Sequence, residues 1–430
     1  MTVVVDQPAP GAVATKAAER RAIGVATGAH ALHDGYTDLI YVMLPVWQAE
    51  FGLGYAALGL LRTCFAGTMA ALQIPSGLLS ERLGVPLVLA LGTALAGLGY
   101  LVAGASVGFV TLVIALLIGG AGASTQHPLA SALVARAFAG PRSMKALGTY
   151  NFAGDIGKMT LPALASIMLV VMPWQPTLAI LGGLGFVAAA AIFLLAPRFP
   201  DEPVIAPAKK DIDPGVEAAG ARTRFGFPVL LSIGMLDSAT RMAFLTFLPF
   251  VLLAKGASLP TVGLALTLVF AGGAAGKLVC AFIGARIGVI ATVCLTEGLT
   301  TLGVLALLPL PLDWNAIVNI GNLSGVIIQY REIPLEAALV ILPIIGIALN
   351  GTSSVLYGSV PELVEPARRA RAFSIFYTGT IGAGAIAPAI YGLLGDAVDV
   401  PTALVVVAIM CLLTLPLALV LRPALPASAR

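Results

Sequence analysis

Apolar runs of roughly twenty residues recur twelve times along this chain of 430 residues. Each is long enough to cross about 30 Å of hydrocarbon as a helix. A backbone immersed in lipid must satisfy its own hydrogen bonds, which leaves helices or a closed barrel. The runs cover 23–49, 55–79, 86–105, 109–136, 145–170, 176–196, 226–253, 260–284, 289–308, 337–361, 372–395 and 401–421. Composition agrees: 10% of residues are charged, against about 25% in a soluble domain. The expected fold is an all-α membrane protein with twelve transmembrane helices in two six-helix halves.

The widest polar interruption, 197–225, mixes proline with both charge signs and suits a solvated linker. It divides the chain into a tail (1–22), a first half (23–196), a second half (226–421) and a short tail (422–430). Eighteen of the 24 lysines and arginines fall in the tails and the even-numbered loops. Lys255 and Arg331 fall on the opposite side, and Arg62, Lys158, Arg241 and Lys277 stand inside spans. By the positive-inside rule the termini and linker are cytoplasmic, in a multi-pass protein of the cell inner membrane. Lys16, Arg20 and Arg21 follow the first short apolar run rather than precede it, so the tail does not read as a signal peptide. The four cysteines, Cys64, Cys280, Cys294 and Cys411, lie in spans without paired spacing and read as packing residues. The loop 309–336 could rest on the membrane surface as an amphipathic helix. Its Asn322-Leu323-Ser324 triplet carries no weight.

An internal repeat supports the halving. A shift of 204 places Leu44-Pro45 on Leu248-Pro249, Gly52 on Gly256, Gly59-Leu60 on Gly263-Leu264, and Thr63 on Thr267. It also places Arg82 on Arg286 and Gly84 on Gly288. A shift of 226 places Pro162-Ala163 on Pro388-Ala389 and Arg142 on Arg368. Parallel six-helix repeats suit a transporter with its site between the halves.

Residues 77–84, GLLSERLG, join spans two and three. They resemble the loop signature of the major facilitator superfamily, with Glu81 where aspartate is commoner and Val85-Pro86 where a basic pair is usual. The resemblance implies close helix packing at Gly77, charged contacts at the helix ends by Glu81 and Arg82, and a gating role for these three with Gly84 and the second-half counterpart Arg286. Within the superfamily, three stretches look like the fosmidomycin-resistance-type exporters: His33-Asp34-Gly35-Tyr36, Ser124-Thr125-Gln126-His127-Pro128 and Gly351-Thr352-Ser353-Ser354. That likeness tilts the reading toward export as drug–proton antiport.

Ionisable residues at membrane depth are costly and mark function by default. His30, Asp34 and Asp38 are spaced four apart in span one, with His33 beside them, so the first three share a helix face. Asp34 or Asp38 would carry a proton, tuned by His30 or His33. Span five carries Asn151, Asp155 and Lys158. Asp155 and Lys158 read either as a self-neutralising pair or as a switchable one, with Gly154 and Gly157 leaving room for a ligand or a neighbouring helix. Span seven carries Asp237 and Arg241, and span eight carries Lys277, which either faces substrate or snorkels and pairs with Asp237. His127 precedes Pro128, where its helix should kink, and reads equally as a cavity or a packing residue. Tyr36, Tyr41, Tyr150, Tyr357 and Tyr377 offer aromatic walls with hydroxyl handles. Arg62 lies toward the outer side, where water could reach it. The family likeness puts Glu297 at the periphery.

Near balance of mid-span charge points to paired networks. With some acids protonated the cavity becomes positive, which suits an anionic or zwitterionic substrate held by Arg241 and Lys277. No nucleotide-binding loop occurs: 272–277 lies in a span and lacks the hydroxyl residue, which argues against ATP-driven transport. No enzyme site, cofactor motif or nucleic-acid-binding feature is visible. The expected partners are a small-molecule substrate, protons and the lipid bilayer, with the chain acting as a monomer. The leading reading is a proton-coupled secondary transporter of a small organic solute. Alternatives are proton symport importing an organic anion and transport of a divalent metal or its chelate by His30, His33, Asp34, Asp38 and His127. A non-transporting receptor on the same fold is a further one.

Overall fold

The computed structural model describes residues 15–138, 141–199, 220–308, 333–364 and 369–425. The expectations for the outer tails, the middle of the linker, Arg368 and the loop with the Asn322 triplet fall outside them. Among the described residues the regular structure is helical, with fourteen α-helices and no strand. The first half comprises α1 (Lys16–Phe51), α2 (Tyr55–Leu83), α3 (Val85–Gly104), α4 (Phe109–Ala123), α5 (Gln126–Ala137), α6 (Pro141–Val171) and α7 (Trp174–Leu195). The second comprises α8 (Gly220–Ala254), α9 (Leu259–Ile287), α10 (Val289–Leu307), α11 (Leu335–Ser359), α12 (Arg369–Ala397), α13 (Val400–Leu412) and α14 (Thr414–Leu421).

Helices α4 and α5 form one broken span, and α13 and α14 another, which gives twelve. Eleven of these are long and apolar enough to cross a membrane by composition alone. The twelfth is α1, whose apolar run is diluted by His30, His33, Asp34 and Asp38. Span four breaks at Ser124 and Thr125, a turn earlier than the kink expected at Pro128. Pro128 sits instead in the first turn of α5, where a missing N–H costs no helical hydrogen bond.

The repeat is built into the backbone. Among the described residues the glycines with positive φ are Gly52, Gly84, Gly256 and Gly288, two pairs 204 residues apart. Each follows a helix and turns the chain through a region that side chains resist. The halves meet along two seams related by the same shifts. On one, Thr63 Oγ1 of α2 donates to the Ala385 carbonyl of α12 at 2.6 Å. On the other, Thr267 Oγ1 of α9 donates to the Met159 carbonyl of α6 at 2.9 Å. Gly59 lies against the Pro388–Ala389 backbone and Gly263 against Ser166 and Ala163, with no room for a Cβ. The repeated residues are thus the ones that let helices of opposite halves touch.

One face of the bundle carries both ends of the described chain and is expected to be cytoplasmic; we call it the inner face. At the outer face the two halves are joined. The Asp396 carboxylate, at the end of α12, accepts the N–H groups of Tyr55 and Ala56 at 2.6 and 2.9 Å. It caps α2, whose own N-cap, Gly54, has no side chain to do so. The buried apolar core follows this pattern. One cluster joins both halves toward the outer face, including Tyr41, Trp47, Phe65, Phe244, Phe247 and Leu342. Toward the inner face it divides into a first-half cluster around Leu89, Leu133 and Tyr150 and a second-half cluster around Leu230, Leu356 and Phe376. The space between the halves therefore opens inward.

Candidate functional site

Helix α1 carries the centre of the site. Helix α6 lies along it because glycines face the contact. A Cβ on Gly154 would stand 2.6 Å from Asp34 Oδ2 and 2.8 Å from His30 Nε2. One on Gly157 would enter the Ala31 backbone. The room these glycines leave is filled by a helix. This approach brings Lys158 Nζ to 3.3 Å from Asp34 Oδ2.

His30 Nδ1 lies 2.8 Å from the Tyr150 carbonyl, and its ring stacks on Tyr150 with centroids 4.0 Å apart. A carbonyl only accepts, so Nδ1 carries the hydrogen. His30 Nε2 then faces Asp34 Oδ2 at 3.3 Å, a contact that attracts only when one of the two holds a further proton. His127 Nε2 approaches the other carboxylate oxygen at 3.9 Å, edge-on to His30. The His127 side chain is 44% exposed. One ligand atom each from His30, Asp34 and His127 lies within 4.8 Å of the others, a spacing that a divalent ion could bridge, although Lys158 takes the same carboxylate.

The pair expected within α6 does not form. Lys158 turns to Asp34, and Asp155 instead accepts Lys277 Nζ from α9 at 2.6 and 2.9 Å. That bridge spans the two halves, so Lys277 pairs with Asp155 and not with Asp237. Asp237 and Arg241 face each other at 3.9 Å, and Arg241 also donates to Ser353 Oγ at 3.3 Å. Asp237, Arg241, Ser353, Tyr357, Phe376 and Thr380 line a small cavity in the second half. Tyr357 and Tyr377 stack at 4.7 Å beside it.

Asp38, Lys158 and Arg241 each stand thirteen residues before the outer ends of their helices, Phe51, Val171 and Ala254. At 1.5 Å per residue all three lie about 20 Å down, near the membrane's middle. Asp34, Asp155, Asp237 and Lys277 form a layer below them. In each pair the cation is the more exposed partner: Lys158 31% against Asp34 10%, Lys277 42% against Asp155 11%, Arg241 17% against Asp237 4%. In these pairs the cation is the more accessible partner, and Asp237 lines the second-half cavity together with Arg241.

Other expected residues stand apart from this network. His33 Nε2 contacts Thr93 Oγ1 at 3.1 Å, inside the first half. Tyr36 is fully buried, donating to the Leu181 carbonyl at 2.5 Å and accepting from Tyr100 on its own carbonyl. Asn151 is exposed on α6 and joins none of the pairs. Glu81, Arg82 and Arg286 are exposed, with no ion pair among the described residues, and a Cβ on Gly77 would meet open space.

Two residues correct the sequence reading. Arg62 is 2% exposed rather than wet, because Tyr41 of α1 and Met242 of α8 pack against it. Its Nη2 donates to Tyr41 Oη at 3.1 Å. Glu297 is not peripheral: it is 1% exposed and receives the Cys411 thiol at 2.8 Å. The signal for Glu297 was the run Thr292, Thr296, Thr300 and Thr301, which marks a polar seam on α10.

Twelve spans in two repeated halves that meet around buried ion pairs are the architecture of a solute transporter rather than an enzyme. The sequence model of the Major Facilitator Superfamily matches residues 26–328 and 230–430, and the chain belongs to that family. It is 31% identical over 168 residues to the fosmidomycin resistance protein of Escherichia coli (strain K12), covering 38% of this chain and 41% of that protein. It is 26% identical over 148 residues to a "Probable L-galactonate transporter" of the same organism, 34% and 33% of the respective lengths. The matches thus span less than half of either relative. Among solved structures it resembles a bacterial homolog of the human lysosomal transporter Spinster, inward-facing and occupied, with TM-score 0.72 and 13% identity over 97% of this chain and 99% of that one. A point mutant of the nucleoside transporter NupG gives TM-score 0.72 and 13% identity over 94% and 99%. These structures share the fold.

Proposed function

We propose that this protein is a proton-coupled secondary transporter of a small organic anion, acting as a monomer in the cell inner membrane by alternating access. The observation that carries the anion reading is the order of exposure in the ion pairs. Lys158, Lys277 and Arg241 are each more accessible than the carboxylates they pair with, Asp34, Asp155 and Asp237. A cation entering from the inner face meets repulsion, and an anion meets three donors. The proton reading is supported by the His30–Asp34 contact, which needs one proton to be attractive. The halves 23–196 and 226–421 rock about this layer, tethered by 197–225. Gly77, Glu81, Arg82, Gly84 and Arg286 close the inner face when it seals.

The name of the fosmidomycin resistance protein supports export, and that of the L-galactonate transporter supports an organic anion. A second reading, transport of a divalent metal, is supported by the His30–Asp34–His127 spacing and opposed by the Lys158 ammonium on the same carboxylate.

The test is uptake into proteoliposomes of labelled anionic, neutral and cationic solutes of similar size. Arg241→Ala and Lys277→Ala should each lower anion uptake about tenfold, the loss of one charge-assisted contact, with less effect on neutral solutes. Equal losses for charged and neutral solutes would remove the counter-charge role. Saturable uptake of a divalent metal that ends with His127→Ala would favour the second reading.

A further inference from the structure

We infer that Asp38 and the substrate's anionic group are alternative counter-charges for one set of cations, Arg62, Lys158 and Arg241, so that an anion and a proton on Asp38 are bound together. This rests on the anion reading above and adds the sign of its coupling.

Asp38 is buried at the level where the halves meet. The cations that act on it are Lys158 from α6, Arg62 from α2 and Arg241 from α8; the acid that acts on it is Asp34 from its own helix. The hydroxyls of Tyr41 and Tyr100 complete its titratable surroundings. Among the described residues no cation pairs with Asp38 within 4.0 Å, while Lys158 and Arg241 share its depth and Arg62 meets Tyr41, three residues further along the same helix. Two of the three cations have carboxylates of their own: Lys158 has Asp34 at 3.3 Å and Arg241 has Asp237 at 3.9 Å.

Arg62 has none. Its polar contacts are Tyr41 Oη at 3.1 Å and Met242 Sδ at 4.0 Å, and its Nε and Nη1 are buried without hydrogen-bond partners. A buried guanidinium facing no anion is strongly disfavoured. The negative charge of Asp38 is therefore what balances Arg62 in the empty site. When Asp38 takes a proton that balance is lost, and an anion beside Lys158 and Arg241 restores it. Conversely, a bound anion makes ionised Asp38 a repelling neighbour and favours its protonation. Linkage makes the two effects equal in size. Proton and anion then cross in the same direction, in contrast to the antiport that the export likeness implies.

The test measures binding of two carboxylate probes, L-galactonate and benzoate, to the purified full chain in detergent at about pH 5.5 and about pH 8. Both probes stay ionised over that range, so any pH effect belongs to the protein. The expected result is affinity tighter by about tenfold at the lower pH, with proton uptake from a weakly buffered solution on binding. Asp38→Asn should bind at the tighter level at both pH values, and Arg62→Met should weaken binding and flatten the pH dependence. Wild-type proton uptake keeps the test open if either variant fails to fold. Binding with proton release, or with no proton change, overturns the inference and leaves the anion reading standing. A pH dependence that survives Asp38→Asn also overturns it, by moving the linkage to His30 and Asp34. No binding of either probe at either pH removes the anion reading and the inference with it.

Discussion

The bridge between Asp155 and Lys277 can be tested as a pair, because it joins the two halves with both carboxylate oxygens engaged at 2.6 and 2.9 Å. Two unit charges 2.6 Å apart attract by about 6 kcal/mol at an effective dielectric of ~20. Desolvation, side-chain entropy and screening remove most of this. Exposed pairs retain about 0.2–1 kcal/mol, and breaking a buried pair costs about 3–5 kcal/mol. With Lys277 42% exposed and Asp155 11% exposed, we expect a coupling of about 1–2 kcal/mol from a double-mutant cycle.

The single variants should also differ in a set order. Lys277→Met leaves Asp155 in the field of Lys158, so its charge is still partly balanced. Asp155→Asn leaves Lys277 and Lys158 repelling each other, with Asp34 as their nearest shared carboxylate. Asp155→Asn should therefore destabilise more, and adding Lys277→Met to it should recover part of the loss. The assay is thermal unfolding in detergent, followed by reaction of the exposed cysteines with a fluorescent dye. Strict additivity would show that the bridge contributes nothing across the halves, and a milder Asp155→Asn would show that Lys158 and Lys277 do not repel each other in its absence.

Asp34→Asn removes the carboxylate shared by His30, Lys158 and His127; proton-driven net flux should fall to background while counterflow exchange of substrate stays measurable. Loss of folding instead, seen as early elution or unfolding in detergent, would make Asp34 structural. Gly154→Ala forces a methyl to 2.6 Å from Asp34 Oδ2 and should cost about 1–3 kcal/mol of stability, with transport lost; wild-type transport would mean that α1 and α6 need not approach so closely. Gly288→Ala places a side chain at φ 85° and should cost about 1–2 kcal/mol, read as a lowered unfolding temperature, whereas Gly298→Ala, with open space around it, should not.

The sequence made the architecture legible because lipid leaves so few choices. Twelve apolar runs reappear as spans, and the 204-residue shift reappears in the seams and turns. The shift was readable because Gly59, Thr63, Gly263 and Thr267 serve one contact twice. Charge pairing was less legible. Spacing in α6 pointed Asp155 at Lys158, because helix neighbours are all that spacing can see. The actual partners, Lys277 and Asp34, come from α9 and α1, and only the packed bundle brings them near. Arg62 misled for a related reason: its place along α2 puts it toward the outer side, yet Tyr41 of α1 and Met242 of α8 pack against it. Glu297 was discounted by family habit while the threonines beside it carried the contrary sign.

The most direct test of the central claim is the internal pH of sealed proteoliposomes holding the purified chain, while organic anions, cationic drugs and divalent metals are added outside in turn. Proton-coupled anion transport of the kind set by Asp38 predicts that an organic anion acidifies the interior and that Asp34→Asn abolishes the signal. A silent interior with anions that bind, or alkalinisation driven by cationic drugs or metals, would contradict it.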